Sequence, residues 1–309
     1  MNAMVNYYRD TLHNPGLKYS DAVIYRCKAK KRQRRALGNP TKETQELVNE
    51  KNRKMALTRL VHANFTEGRD NVVMLSFDPA HKVDTRAEAK AEMDKFWRRV
   101  KTAWGKRPIT AWELEHNKGE RMPLKYVYVI EGGDGKRIHV HVIMTGGLSE
   151  TEMKRLWGKA AFVNNRVLQG SETGMEALSV YLSKQGGLSK GEHHWYASRN
   201  MVRPDAAEHN GQIGKDSVEE LADVIEDINA HVGEGVIPTS ERYAAIEERY
   251  PGYYLSEASA VHIEQFKEWV IHVKLYRKDT EAGKRETKRR RAEEREIARR
   301  KAQAEALGL

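Results

Sequence analysis

Two histidines one residue apart, His139 and His141 in RIHVHVIM (137–144), are the first residues whose type and spacing could do chemistry. Alternate side chains of an extended strand share a face, so the pair would point the same way and could chelate one ion. Imidazole nitrogen is the commonest protein metal ligand. Alone, such a pair is more often two ordinary half-buried polar residues on a strand, and its company decides. Glu131 precedes the turn GGDGK (132–136). If Glu131 pairs opposite Arg137 across a five-residue loop, Val129 lies opposite His139 and the carboxylate joins the histidines' face. A one-residue slip would turn it away. Further along, Tyr181 and Lys184 stand three residues apart in GMEALSVYLSKQ (174–185), neighbours on a predicted helix. There the ammonium would favour a phenolate or hold a phosphate. An ordinary phenol, with a pKa of about 10, is a weak nucleophile at neutral pH and needs such help. A tyrosine and a lysine on a helix are otherwise a core and a surface residue. Together with a metal set they suit phosphoryl chemistry.

The elements that must hold these residues are readable from pattern. Residues 41–65 predict a polar helix that turns Leu57, Leu60 and Val61 to a core, and NVVMLSFDP (71–79) predicts a buried strand ended by Pro79. Thr85 and Glu88 form a capping box, followed at helical spacing by Met93, Phe96, Trp97, Val100 and Trp104. LKYVYVIE (124–131) and RIHVHVIM flank the glycine turn as a β-hairpin. A short helix at 149–158 and an apolar piece at 164–168 come next. Thr173 and Glu176 then cap the Tyr181 helix, and HHWYASRNMV (193–202) predicts another strand, closed by Pro204. The order implies an α+β fold, an antiparallel sheet backed by helices, with helical N- and C-terminal extensions. The chain accordingly divides into a basic arm and helix (1–65), a central domain (66–204), an acidic, partly helical insert (205–249), a strand region (250–279) and a basic helical tail (280–309).

Charge identifies the first class of partner to test. From Arg26 to Arg59 there are 12 basic and 3 acidic residues, including KAKKRQRR at 28–35; 205–249 holds 3 basic and 12 acidic; Lys274 to Lys301 holds 13 and 6. Basic blocks attract phosphate backbones by releasing counterions, without reading sequence. Lys28, Lys30, Lys31, Arg32, Arg34 and Arg35, with no acid among them, are candidate nucleic-acid contacts. In the C-terminal block the acids are interleaved, and a solvated helix face is as good a reading as a phosphate-binding one. The single cysteine, Cys27, excludes an internal disulfide, and no Cys/His zinc spacing exists. No apolar run reaches the ~20 residues of a membrane span, and a cytoplasmic protein is expected. None of the Gly-Lys pairs at 105, 135, 158, 214 and 283 precedes Ser or Thr, so there is no P-loop.

Strand VVMLSF (72–77), then HVHV (139–142), then Tyr181-x-x-Lys184, in that order, resembles the three-motif set of HUH endonucleases, the rolling-circle replication initiators of plasmids and single-stranded DNA phages. Glu131, eight residues before His139, matches the third metal ligand of several viral members, and HWYASRNMVRP (194–204), with Arg199, resembles the bacterial phage-type branch. The first motif reads LSF where many members have a threonine. The resemblance covers about residues 55–205. It implies an HUH, RRM/ferredoxin-like nuclease fold, a divalent ion (Mg²⁺ or Mn²⁺) on Glu131, His139 and His141, and Tyr181 as nucleophile with Lys184 as its support. It further implies Arg199 as a DNA contact and single-stranded origin DNA as substrate inside a bacterial host. Host helicase and polymerase would be the partners, with no membrane and no stated oligomeric state. A transposase or mobilisation relaxase of the same superfamily, and a non-catalytic nucleic-acid-binding regulator, are the competing readings.

Overall fold

The computed structural model describes residues 7–26, 42–133, 135–159, 162–170, 175, 193–204, 206–233, 240–264 and 267–307. They form an α+β protein with two five-stranded antiparallel sheets, one in each of two compact units. The sequence predicts one sheet with extensions; the second sheet is the main difference.

The first unit lies within residues 46–203. Its strands are β3 (Asn71–Ser76), β4 (Tyr126–Gly133), β5 (Lys136–Met144), β6 (Val163–Val167) and β7 (Tyr196–Ala197), in the order β6-β3-β5-β4-β7. Helix α2 (Arg86–Lys106) starts on the expected Thr85–Glu88 capping box and buries Met93, Phe96, Trp97, Val100 and Trp104. Full burial of such side chains stabilises by about 1.5–3 kcal/mol each. The stripe meets Val73, Leu75, Tyr128, Val140 and Val142 on one face of the sheet, together with α4 (Glu150–Trp157). Trp97 stacks on Tyr126 at 3.5 Å between ring centroids. The opposite face, bearing Val127, Val129 and Ile143, is covered by Leu57 and Val61 of α1 (Lys42–Asn64) with Phe65 and Leu168. A strand buried on both faces reads as the near-continuous apolar run seen in β4 and β5.

Between α2 and β4 the chain makes a short helix, α3 (Ala111–His116), whose Glu113 is buried against Arg107. The strand predicted at 193–202 shrinks to Tyr196–Ala197, because Ser198 turns the chain: its hydroxyl accepts from the Tyr126 N–H and the Met201 N–H returns to its carbonyl.

The second unit joins residues 7–26 to 204–307. Here β1 (Tyr8–His13), β2 (Tyr19–Arg26), β8 (Ala206–Ile213), β9 (Tyr253–Ile263) and β10 (Glu268–Arg277) form a sheet in the order β8-β1-β2-β10-β9. Helices α5 (Lys215–Gly233) and α6 (Ser240–Glu247) cover it, with Val218, Leu221, Ala222, Ile225 and Ile228 of α5 packed on Ile24, Ile271 and Val273. The supposed N-terminal arm therefore contributes two sheet strands, and the supposed acidic insert at 205–249 supplies an edge strand and the covering helices. Along α5, Asp216, Glu220, Asp223, Glu226 and Asp227 are exposed while the apolar stripe is buried, so charge alone marks the stretch as an insert while its periodicity makes it core; Glu247 of α6 is a buried exception. The tail is helix α7 (Glu281–Leu307).

Candidate metal centre

The centre is built on the β4–β5 hairpin. Glu131 pairs directly with His139 and Val129 with His141, while on the other side Ser76 of β3 pairs with His139 and Met74 with His141. This corrects the expected register, in which Glu131 faced Arg137. The strands run two residues further, Gly133 pairs with Lys136, and an irregularity between Glu131 and Gly133 absorbs one residue. A shift of two keeps parity, so the carboxylate stays on the histidines' face for a different reason from the one predicted. The bulge depends on Gly132, at φ +96°, where a β-carbon would stand 2.5 Å from the Arg137 carbonyl oxygen.

A substitution follows from that contact. Gly132→Ala must open the bulge or move the register, and a one-residue move takes Glu131 off the site. We expect metal affinity to fall about tenfold or more with all three ligands intact. Gly135→Ala, also at positive φ but with nothing within 4 Å of its new methyl, should leave affinity within about twofold. Titration with Mn²⁺ measures both, and equal behaviour of the two variants would refute the role given to the bulge.

Glu131 Oε2 lies 3.3 Å from His139 Nε2 and 3.2 Å from His141 Nε2. One ligand atom from each residue lies within 4.8 Å of the others, and these three residues could hold a metal ion. Donors bound about 2.1 Å from one ion at angles between 90° and 110° stand roughly 3.0–3.4 Å apart, the spacing seen at both contacts. The His139 Nδ1 lies 3.3 Å from the Arg137 carbonyl oxygen, an acceptor that an Nδ1–H would satisfy when Nε2 serves as a ligand. Burial, then the neighbouring His139, lower the pKa of His141, against the pull of Glu131. A neutral imidazole is the form that ligates. Side-chain exposure rises from 9% at His141 to 29% at His139 and 41% at Glu131. The set is thus rooted in the sheet and open on the carboxylate side, leaving coordination positions for water or substrate.

Comparison with protein-family models, curated proteins and solved structures finds no match for this chain.

The remaining sequence-predicted site residues divide plainly. Tyr181 and Lys184 lie outside the described residues, as do Lys28, Lys30, Lys31, Arg32, Arg34 and Arg35. Arg199 is exposed in the turn after β7. His193 and His194, which open the strand predicted at 193–202, instead precede β7. The pKa of His194 is lowered, first by burial and then by Arg53 and Arg86, so cations from α1 and α2 gather near it. Arg86 also donates to the carbonyl of Ile130, next to Glu131. Sequence reading missed this convergence because the three residues are far apart in the chain. It also passed over Arg137, which shares the histidines' face by strand period, is exposed, and donates to the Phe77 carbonyl. That residue was legible from spacing alone. Among the described residues, no helix is long and apolar enough to cross a membrane.

Proposed function

We propose that the protein is a metal-assisted single-stranded DNA nickase of the HUH type that initiates rolling-circle replication. Glu131, His139 and His141 hold a divalent cation, with Mn²⁺ or Mg²⁺ as the ion used. Two imidazoles beside one carboxylate suit Mn²⁺ better than the all-oxygen shell Mg²⁺ prefers. A bound ion supplies Lewis-acid polarisation of the scissile phosphate. The phenol oxygen of Tyr181 attacks phosphorus, the bond to the 3′-oxygen breaks, and a 5′-phosphotyrosine and a free 3′-hydroxyl result. The phenolic proton passes to solvent and the leaving oxygen is protonated, so no cofactor is consumed. Lys184 stabilises the phenolate, and Arg86, which donates to the carbonyl of the residue before Glu131, adds positive charge. Reversal of the same step rejoins strands, because the phosphotyrosine conserves the phosphodiester bond energy.

One observation carries this reading: the Glu131–His139–His141 group sits on paired central strands with single-ion spacing and an open side. A five-stranded antiparallel sheet with helices on both faces, and the order of the three sequence motifs, agree with it. The test is adduct mapping. Incubated with single-stranded origin DNA and Mn²⁺, the protein should form a denaturation-resistant adduct whose phosphopeptide contains Tyr181. Tyr181→Phe should form none while binding the same DNA within about twofold. An adduct on another tyrosine, or cleavage retained by Tyr181→Phe, would refute the assignment, and indifference to metal would refute the nuclease.

A further inference from the structure

Helix α7 separates its charges by face. It is capped by Thr280, whose hydroxyl accepts from the Gly283 N–H, and Gly283 approaches the sheet so closely that a β-carbon would stand 2.5 Å from the Arg277 carbonyl oxygen. Arg290 anchors the next turns: its two terminal nitrogens donate to Glu247 of α6 at 2.8 and 2.7 Å, and its guanidinium lies 4.4 Å from the Tyr254 ring centroid. The helical acids that face this side are occupied there. Glu286 pairs with Arg289 and Arg290, and Glu293 accepts from Ser240 and pairs with Arg289.

The outer side is different. At about 100° per residue, Lys284, Lys288, Arg291 and Arg295 fall within a sector of about 60° and extend roughly 16 Å along the axis. All four are exposed. Lys284 pairs with Glu281; among the described residues, Lys288, Arg291 and Arg295 form no ion pair. Glu294, the other exposed acid of these turns, stands about 90° from the centre of the stripe. Interleaving in sequence thus becomes segregation in space.

We infer that the outer face of α7 binds the phosphate backbone of duplex DNA. The stripe runs along one face of the helix, and the acid at its edge, Glu281, is paired with Lys284. Proteins that hold single strands add aromatic platforms for the bases, and this face has none. Regularly spaced cations on a helix instead match a duplex, whose phosphates lie on a stiff path and whose binding needs only charge. The choice of DNA rests on the proposed function; the choice of a duplex rests on the stripe.

The test is fluorescence anisotropy of the full-length protein with a labelled duplex of about 20 base pairs over a sodium chloride series. Each phosphate contact contributes about 0.9 to the log–log salt slope. The variant Lys288→Gln/Arg291→Gln/Arg295→Gln should therefore lose about 2.7 from the slope and bind at least tenfold more weakly at low salt. Lys101→Gln/Lys106→Gln/Lys118→Gln, with the same change in net charge, should leave the slope within about 0.5. Far-UV circular dichroism verifies that the helix persists. An unchanged slope in the first variant, or equal losses in both, overturns the proposal. So does a stripe-dependent preference for a thymidine single strand or an RNA duplex over the DNA duplex. Nicking is read separately: if no adduct forms on any origin strand yet the slope falls as stated, the nickase reading fails and the stripe stands, and the converse result sinks only the stripe.

Discussion

His141→Ala is expected to lose divalent-metal binding by at least about 100-fold and to abolish nicking. The magnitude follows from comparison: removing a group that merely orients a ligand costs 10–100-fold in affinity, and His141 is itself the most enclosed ligand of the three. His139→Ala should behave alike. Glu131→Gln, which keeps shape but removes charge at the open edge, should weaken metal binding less than either and still block cleavage. The readout need not be activity. A ligand at 100 times its dissociation constant stabilises the folded state by about 2.7 kcal/mol, which for a unit of this size raises Tm by roughly 5–10 °C. The wild-type protein should show that rise on addition of Mn²⁺, and His141→Ala should show none. Equal rises in both would place the ion elsewhere. Duplex binding by His141→Ala should match the wild type, since the α7 stripe and the metal set use different residues.

How much of this was legible depends on how local the determining forces are. The period-2 alternation of RIHVHVIM fixes which histidines share a face, and the 3.6-residue spacing from Met93 to Trp104 fixes the buried side of α2; both need only neighbours in the chain. The hairpin register needs more. GGDGK contains three glycines, and Gly132 is the one that faces the extra residue of β5, where the Arg137 carbonyl approaches too closely for a side chain. Strands β1 and β2 escaped notice for a long-range reason. The inward positions of YRDTLH are Tyr8, Asp10 and Leu12, and a fully buried aspartate breaks the apolar alternation. Asp10 is tolerated because the Tyr250 hydroxyl and the Arg249 guanidinium, some 240 residues away, reach its carboxylate. In the same way β8, AAEHNGQI, has no alternating apolar pattern and is a strand because β1 pairs with it. The Glu131–His139–His141 group was legible because chemistry restricts the residue types that can hold an ion. Tyr181 and Lys184, singled out by the order of motifs and their helical spacing, lie outside the described residues.

Glu113→Gln is expected to be the most destabilising conservative change in the first unit, by about 3–5 kcal/mol at pH 7. Glu113 and Arg107 are 2% and 3% exposed, and the carboxylate accepts from Arg107 Nη1 at 2.7 Å, from the Thr110 N–H at 2.9 Å, and from the Met122 N–H at 2.6 Å. Arg107 also lies 4.1 Å from the Trp104 ring centroid, so the pair ties the end of α2 to the connection that leads into β4. Glutamine fits the space but turns an amide toward a guanidinium that can only donate, leaving a buried charge uncompensated; such a break costs about 3–5 kcal/mol. The pH dependence has a definite sign. Arg107 holds the Glu113 carboxyl well below the usual carboxylate range, against the opposing effect of burial. A depressed folded-state pKa contributes stability above the unfolded value of about 4.3, and that contribution is lost as pH falls through the folded value. The difference in urea unfolding free energy between wild type and Glu113→Gln should therefore be full at pH 7 and shrink steadily below pH 4. A difference under 1 kcal/mol at pH 7, or one unchanged at pH 3, would show that the pair does not bear on stability in this way.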